Sequence, residues 1–99
     1  MGKRWKDVEL RIAKLLEGQR AGAVGKEGPD VLHPTLAPEI KTREKLPAWL
    51  TGAMQQAEDN APEGKLPFIV LHEKGWNMEK SIVGMRLGVI LEILRRINA

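Results

Sequence analysis

Gly28-Pro29-Asp30-Val31-Leu32-His33-Pro34-Thr35-Leu36-Ala37-Pro38-Glu39-Ile40-Lys41 is the stretch on which the reading of this chain turns. In an extended strand side chains alternate between faces, so Glu39 and Lys41 project from one side while Ile40 faces apolar packing. Asp30 opens the preceding apolar run. His33-Pro34-Thr35 is short and turn-prone, which predicts a hairpin joining the two runs. Two carboxylates gathered by such a hairpin offer the oxygen donors a hard divalent cation prefers. A lysine beside them can position and polarise a water, which together with the cation equips a site for phosphodiester hydrolysis. The plainer reading of the same residues is two ordinary strands carrying solvated charges.

Composition narrows the classes. Ninety-nine residues suffice for one domain, 1–99. A chain of this length buries only ~60–70% of its unfolded surface, so its core is thin and dimerisation would help. Sixteen basic against thirteen acidic residues give +3, compatible with a nucleic-acid partner without demonstrating one. Cysteine is absent, which excludes disulfides, thiolate metal sites and thiol catalysis. The basic start leads into an amphipathic helix instead of an apolar signal core, and no run approaches a membrane span. The expectation is a soluble, cytoplasmic protein with no membrane partner.

From Arg4 to about Glu17, Trp5, Val8, Ile12, Leu15 and Leu16 recur at helical spacing, a stripe centred between Val8 and Leu16. Glu9 falls inside the edge of that stripe, where a carboxylate is costly unless compensated. It reads either as a rim glutamate paired with Arg or Lys, or as an acidic group turned toward a site. Ala21–Gly25 is a glycine-rich candidate strand, followed by a turn over Lys26–Pro29. Arg20 and Lys26 are candidates for a phosphate backbone, or simply solvated loop charges, and Arg43 lies just past the Glu39–Lys41 strand. Pro47 marks a helix running to about Asp59, with Leu46, Trp49, Leu50, Ala53, Met54 and Ala57 inward and Gln56 flanking Trp49. Leu66–His72 is a nearly continuous apolar run, as for a central strand covered on both faces. Trp76 either closes the bottom of the core or stacks on a base. Ser81–Leu87 reads as a strand, and Gly88 precedes a last helix with Ile90, Ile93, Leu94 and Ile97 inward. Val89 and Leu91, on its outer side, leave room for a subunit contact. Arg95 and Arg96 suit the final turn, where the helix dipole favours cations. His33 and His72, at strand ends, read as structural.

The order that results is helix, three strands, helix, two strands, helix. With Pro29-Asp30 and Glu39-Ile40-Lys41, the chain resembles the PD-(D/E)xK nucleases, and small Holliday-junction resolvases and related phage nucleases above all. The resemblance spans nearly the full length, though the chain is very short for that family. It implies an α/β fold with a restriction-endonuclease-like core, a mixed β-sheet flanked by helices in the order αβββαββα. It also implies a Mg²⁺-dependent DNA endonuclease, with Mn²⁺ able to substitute. Asp30, Glu39 and the Ile40 carbonyl would hold the metal, Lys41 would orient the attacking water, and Glu9 would support the metal directly or through water. Gln56 would be the polar residue that the second helix contributes. The implied partner is branched or duplex DNA, bound by a homodimer. Two other classes compete: a non-catalytic nucleic-acid-binding or assembly protein with the same fold, and a small basic structural domain carrying the triplet by chance.

Overall fold

A computed structural model of the chain describes residues 2–21 and 28–98, with side chains from residue 6 onward. Of the strand expected over Ala21–Gly25 only Ala21 falls within these residues, and Lys26 lies outside them. The chain forms two compact units, Met1–Glu44 and Lys45–Ala99.

The first unit opens with helix α1, Gly2–Leu15, followed by strands β1, Gln19–Arg20, and β2, Val31–Leu32. α1 buries Ala13 and Leu16, while Leu15 is more than half exposed. Its buried face is therefore centred on Glu9, Ala13 and Leu16 and not between Val8 and Leu16 as expected. The helix ends in a Schellman motif. The Gly18 N–H donates to the Ala13 carbonyl at 2.8 Å and the Glu17 N–H to the Lys14 carbonyl at 3.1 Å. The left-handed position, φ 60°, is held by Glu17 and not by a glycine. Gly18 is needed one residue later, where a Cβ would lie 2.5 Å from the Leu32 carbonyl oxygen.

β1 and β2 pair antiparallel in the register Gln19↔Leu32 and Arg20↔Val31. Val31 is fully buried. The pairing continues as the Ala21 N–H donates to the Asp30 carbonyl at 3.0 Å. Beyond Leu32 the expected hairpin partner does not form: Glu39–Lys41 is not a strand, and β2 pairs with β1 instead. Pro34 and Pro38 each lack an N–H for a ladder. His33 diverts two more donors, because its Nδ1 accepts from the Thr35 and Leu36 N–H groups, both at 3.1 Å. An imidazole thus organises this turn as an aspartate or asparagine often does, in keeping with a structural role for His33.

The second unit contains helix α2, Ala48–Asn60, strands β3, Ile69–Leu71, and β4, Ile82–Gly84, and helix α3, Leu87–Asn98. Pro47 stands at the N-cap, one place before the helix, and its carbonyl accepts from the Leu50 and Thr51 N–H groups. α2 buries Met54 and half-buries Leu50, Ala53 and Ala57, whereas Leu46 and Trp49, expected inward, are exposed. Pro62–Lys65 is a turn whose third residue, Gly64, takes φ 82°, a conformation that favours glycine. β3 is not a central strand covered on both faces. It pairs only with β4, antiparallel in the register Ile69↔Gly84, Val70↔Val83 and Leu71↔Ile82, and Val70 is exposed. Trp76, in the β3–β4 connection, is exposed and does not close a core.

In α3, Val89 and Leu91 are half-buried, while Ile97, expected inward, is exposed. Glu92 accepts hydrogen bonds from Arg95 and Arg96 within the helix. The two guanidiniums, Arg95 first, hold the Glu92 carboxyl down at about 2. Arg86 grips Glu58 through two bonds, at 2.8 and 3.3 Å, and this hydrogen bonding lowers the Glu58 carboxyl below its ordinary value.

Among the described residues the protein is thus a small α/β chain with three helices and two separate two-stranded antiparallel sheets, where one mixed sheet was expected. No helix among them is long and apolar enough to cross a membrane.

Candidate active site

Asp30 is the centre of the first unit's polar contacts. Its carbonyl accepts from Ala21, its N–H donates to the Pro38 carbonyl at 2.9 Å, and its carboxylate Oδ2 accepts from the Ile40 N–H at 2.6 Å. The last of these is a charge-assisted bond, short and strong for its class. The 38–40 segment therefore docks on Asp30 through local hydrogen bonds without forming a strand ladder. Pro38 contributes what it still has, a carbonyl, and the Ile40 N–H, two residues on, is spent on the carboxylate.

This docking brings Asp30 against Glu39-Ile40-Lys41 across ten positions of sequence. Glu39 and Lys41 lie on one side of the local backbone, as alternation requires, with Lys41 Nζ 3.2 Å from Glu39 Oε2. Both side chains are well exposed, so this pair is screened and weak. Ile40 is half-buried between them. The donors Asp30, Glu39 and the Ile40 carbonyl are all oxygen, the chemistry of a hard divalent cation.

Glu9 makes a different contact. Its Oε1 accepts from Arg20 Nε at 3.0 Å, with the two side chains 13% and 24% exposed. That pairing explains how a carboxylate survives on the packed face of α1. Among the described residues no three of His, Cys, Asp and Glu form a group able to hold a metal.

Arg43 is exposed and donates to its neighbour, the Thr42 carbonyl, at 3.2 Å. Gln56 lies on α2 in the second unit, exposed and not at the edge of a buried face; its neighbour Gln55 bonds Asp59 at 2.9 Å. His72 Nδ1 lies 2.9 Å from Ser81 Oγ, one step outward from the Leu71↔Ile82 pair, a cross-strand contact that closes the hairpin's end.

Two features were missed from sequence, the partner of Glu9 and the turn role of His33. For the first a signal existed, since an acid on a buried face demands a cation, and Arg20 is the first one after the helix. For the second there was none, because histidine is not a habitual turn acceptor. Compared with protein-family models, with curated proteins and with solved structures, the chain matches none.

Proposed function

We propose that this chain is a metal-dependent DNA endonuclease of the PD-(D/E)xK kind, built on a restriction-endonuclease-like core and acting in the cytoplasm on branched DNA. The observation that carries the reading is the Asp30 Oδ2 bond to the Ile40 N–H, which sets the Asp carboxylate against the Glu-x-Lys triplet.

In this reading each residue has a distinct task. Asp30, fixed by the Ile40 amide through Oδ2, keeps its other carboxylate oxygen for a cation. Glu39 and the Ile40 carbonyl supply the remaining protein donors. A bound Mg²⁺ would stabilise charge on the phosphoryl oxygens and lower the pKa of its water. Lys41 has three donors and no acceptor, so it orients a water or a phosphate oxygen without being a ligand. Glu9 serves as the counter-ion of Arg20. In-line attack at phosphorus then yields a 5′-phosphate. Action on a four-way junction needs two such sites, hence a two-fold homodimer.

A second reading, nucleic-acid binding without turnover, is favoured by the internal neutralisation of Glu39 by Lys41 and of Glu9 by Arg20. A cleavage panel on four-way junction, flap, duplex and single-stranded DNA separates the two. Products that require Mg²⁺ or Mn²⁺ support the endonuclease. Binding that persists in EDTA, with no product under any divalent ion, supports the second reading.

A further inference from the structure

Charge is distributed unevenly along this chain. α1 carries Lys3, Arg4, Lys6, Arg11 and Lys14 against Asp7 and Glu9, a balance of +3 in fourteen residues. The whole chain's formal charge is also +3, from sixteen cations and thirteen anions. Removing the helix's five and two leaves eleven of each, so everything outside α1 is neutral on balance.

The local pairing sharpens this asymmetry. Glu9 faces the interior and is neutralised by Arg20. Elsewhere Lys41, Arg86, Arg95 and Arg96 are each held by a carboxylate of their own unit, while Arg43, Lys45, Lys65, Lys74 and Lys80 are exposed and make no ion pair among the described residues. Arg11 and Lys14 are exposed, and neither makes an ion pair among the described residues. They stand three residues apart, hence as neighbours on the solvent side of the helix, opposite its buried face. A helix of this length spans ~20 Å, enough to follow several phosphates of a duplex strand.

We infer that the solvent face of α1 is the surface that takes the phosphate backbone of DNA, with Arg11 and Lys14 as contacts. The inference rests on the endonuclease reading only for the identity of the polyanion. It concerns affinity and not cleavage, so it is testable even on a chain that does not turn over. A phosphate rail on a helix is independent of base identity, and binding through it is non-specific and strongly salt-dependent.

The experiment compares two double variants of equal net charge, Arg11→Gln/Lys14→Gln and Lys65→Gln/Lys74→Gln. The second pair removes exposed loop cations of the other unit. Binding of a fluorescent duplex and of a four-way junction is measured in EDTA between about 50 and about 200 mM salt. Loss of two phosphate contacts lowers the log–log salt slope by about 1.8, so the parent weakens ~tenfold more than the α1 variant across that range. The loop variant keeps the parent's slope. A charge-conserving Arg11→Lys/Lys14→Arg variant keeps it as well, which separates charge from any loss of helix structure. Equal effects of the two neutralising pairs would overturn the inference in favour of bulk net charge. An unchanged slope in the α1 variant would overturn it outright. So would α1-dependent binding to polyglutamate or to phosphatidylserine vesicles as tight as to DNA, since Leu10 and Leu15 are exposed on this helix.

Discussion

Removing the cation from the Glu9–Arg20 pair should harm the protein more than removing the anion, and the structure sets the size of the difference. Arg20→Met leaves Glu9 on the buried face of α1, 13% exposed and on a short side chain. A hydrogen bond to a charged group contributes about 1.5–3 kcal/mol, and the partial exposure of both groups places this one near the lower end. Arg20→Met should therefore lower stability by about 2 kcal/mol, or roughly 8–16 °C in melting temperature for a chain of this size. Glu9→Leu leaves Arg20, whose longer side chain is 24% exposed and can turn toward water. That change should cost under ~1 kcal/mol, because it also adds apolar area at a half-buried position. The double variant should recover most of the loss, as buried ion pairs replaced by apolar residues commonly do. Urea unfolding of the four proteins closes a double-mutant cycle, which isolates the pair from anything else Arg20 touches. Strict additivity, or equal losses from the two single variants, would refute the reasoning. The same proteins test the role of Glu9: Mg²⁺ affinity should survive Glu9→Leu and fall in Asp30→Asn.

Other predictions follow from single contacts. Glu17→Gly should stabilise the protein by about 1 kcal/mol, since Glu17 occupies a left-handed position, whereas Gly18→Ala should destabilise it by more, through the Leu32 carbonyl; thermal melts give both signs. Asp30→Asn keeps a neutral oxygen for the Ile40 N–H and Asp30→Ala keeps none, so hydrogen exchange at the Ile40 amide should quicken more in the alanine variant than in the asparagine one. Lys41→Ala should slow turnover at saturating DNA with little change in metal affinity, because an ammonium is not a ligand. The Glu92 carboxyl, depressed to about 2 by Arg95 and Arg96, should titrate near there by carbon-detected NMR. The ion pairing it brings to α3 is complete above the ordinary glutamate range and is lost as pH falls toward 2. Arg95→Gln/Arg96→Gln should return the midpoint upward.

The helices were readable from periodicity and punctuation. Pro47 announced α2 within one residue, and the apolar runs around Ile69 and Ile82 announced β3 and β4. What periodicity could not give was rotation. The apolar stripe placed the inner face of α1 between Val8 and Leu16, whereas the residues buried are Ala13 and Leu16, with Leu15 exposed. The Glu39–Lys41 strand failed for a related reason. Alternation was present and put Glu39 and Lys41 on one side, yet Pro34, Pro38 and the His33 acceptor removed the donors that a ladder needs. The proximity of Asp30 to the triplet was legible all the same, because a short turn-prone spacer leaves little room for any other outcome. Its means, a carboxylate bonded to a backbone amide, was not.

The central claim is that Asp30 and the Glu39-Ile40-Lys41 triplet form one metal-dependent hydrolytic site. Cleavage of a labelled four-way junction in Mg²⁺, with the parent and Asp30→Asn measured side by side and both checked for DNA binding in EDTA, tests it most directly. The account predicts 5′-phosphorylated products from the parent in Mg²⁺, none in EDTA, and none from Asp30→Asn despite unimpaired binding. Cleavage by Asp30→Asn at the parent's rate would contradict it.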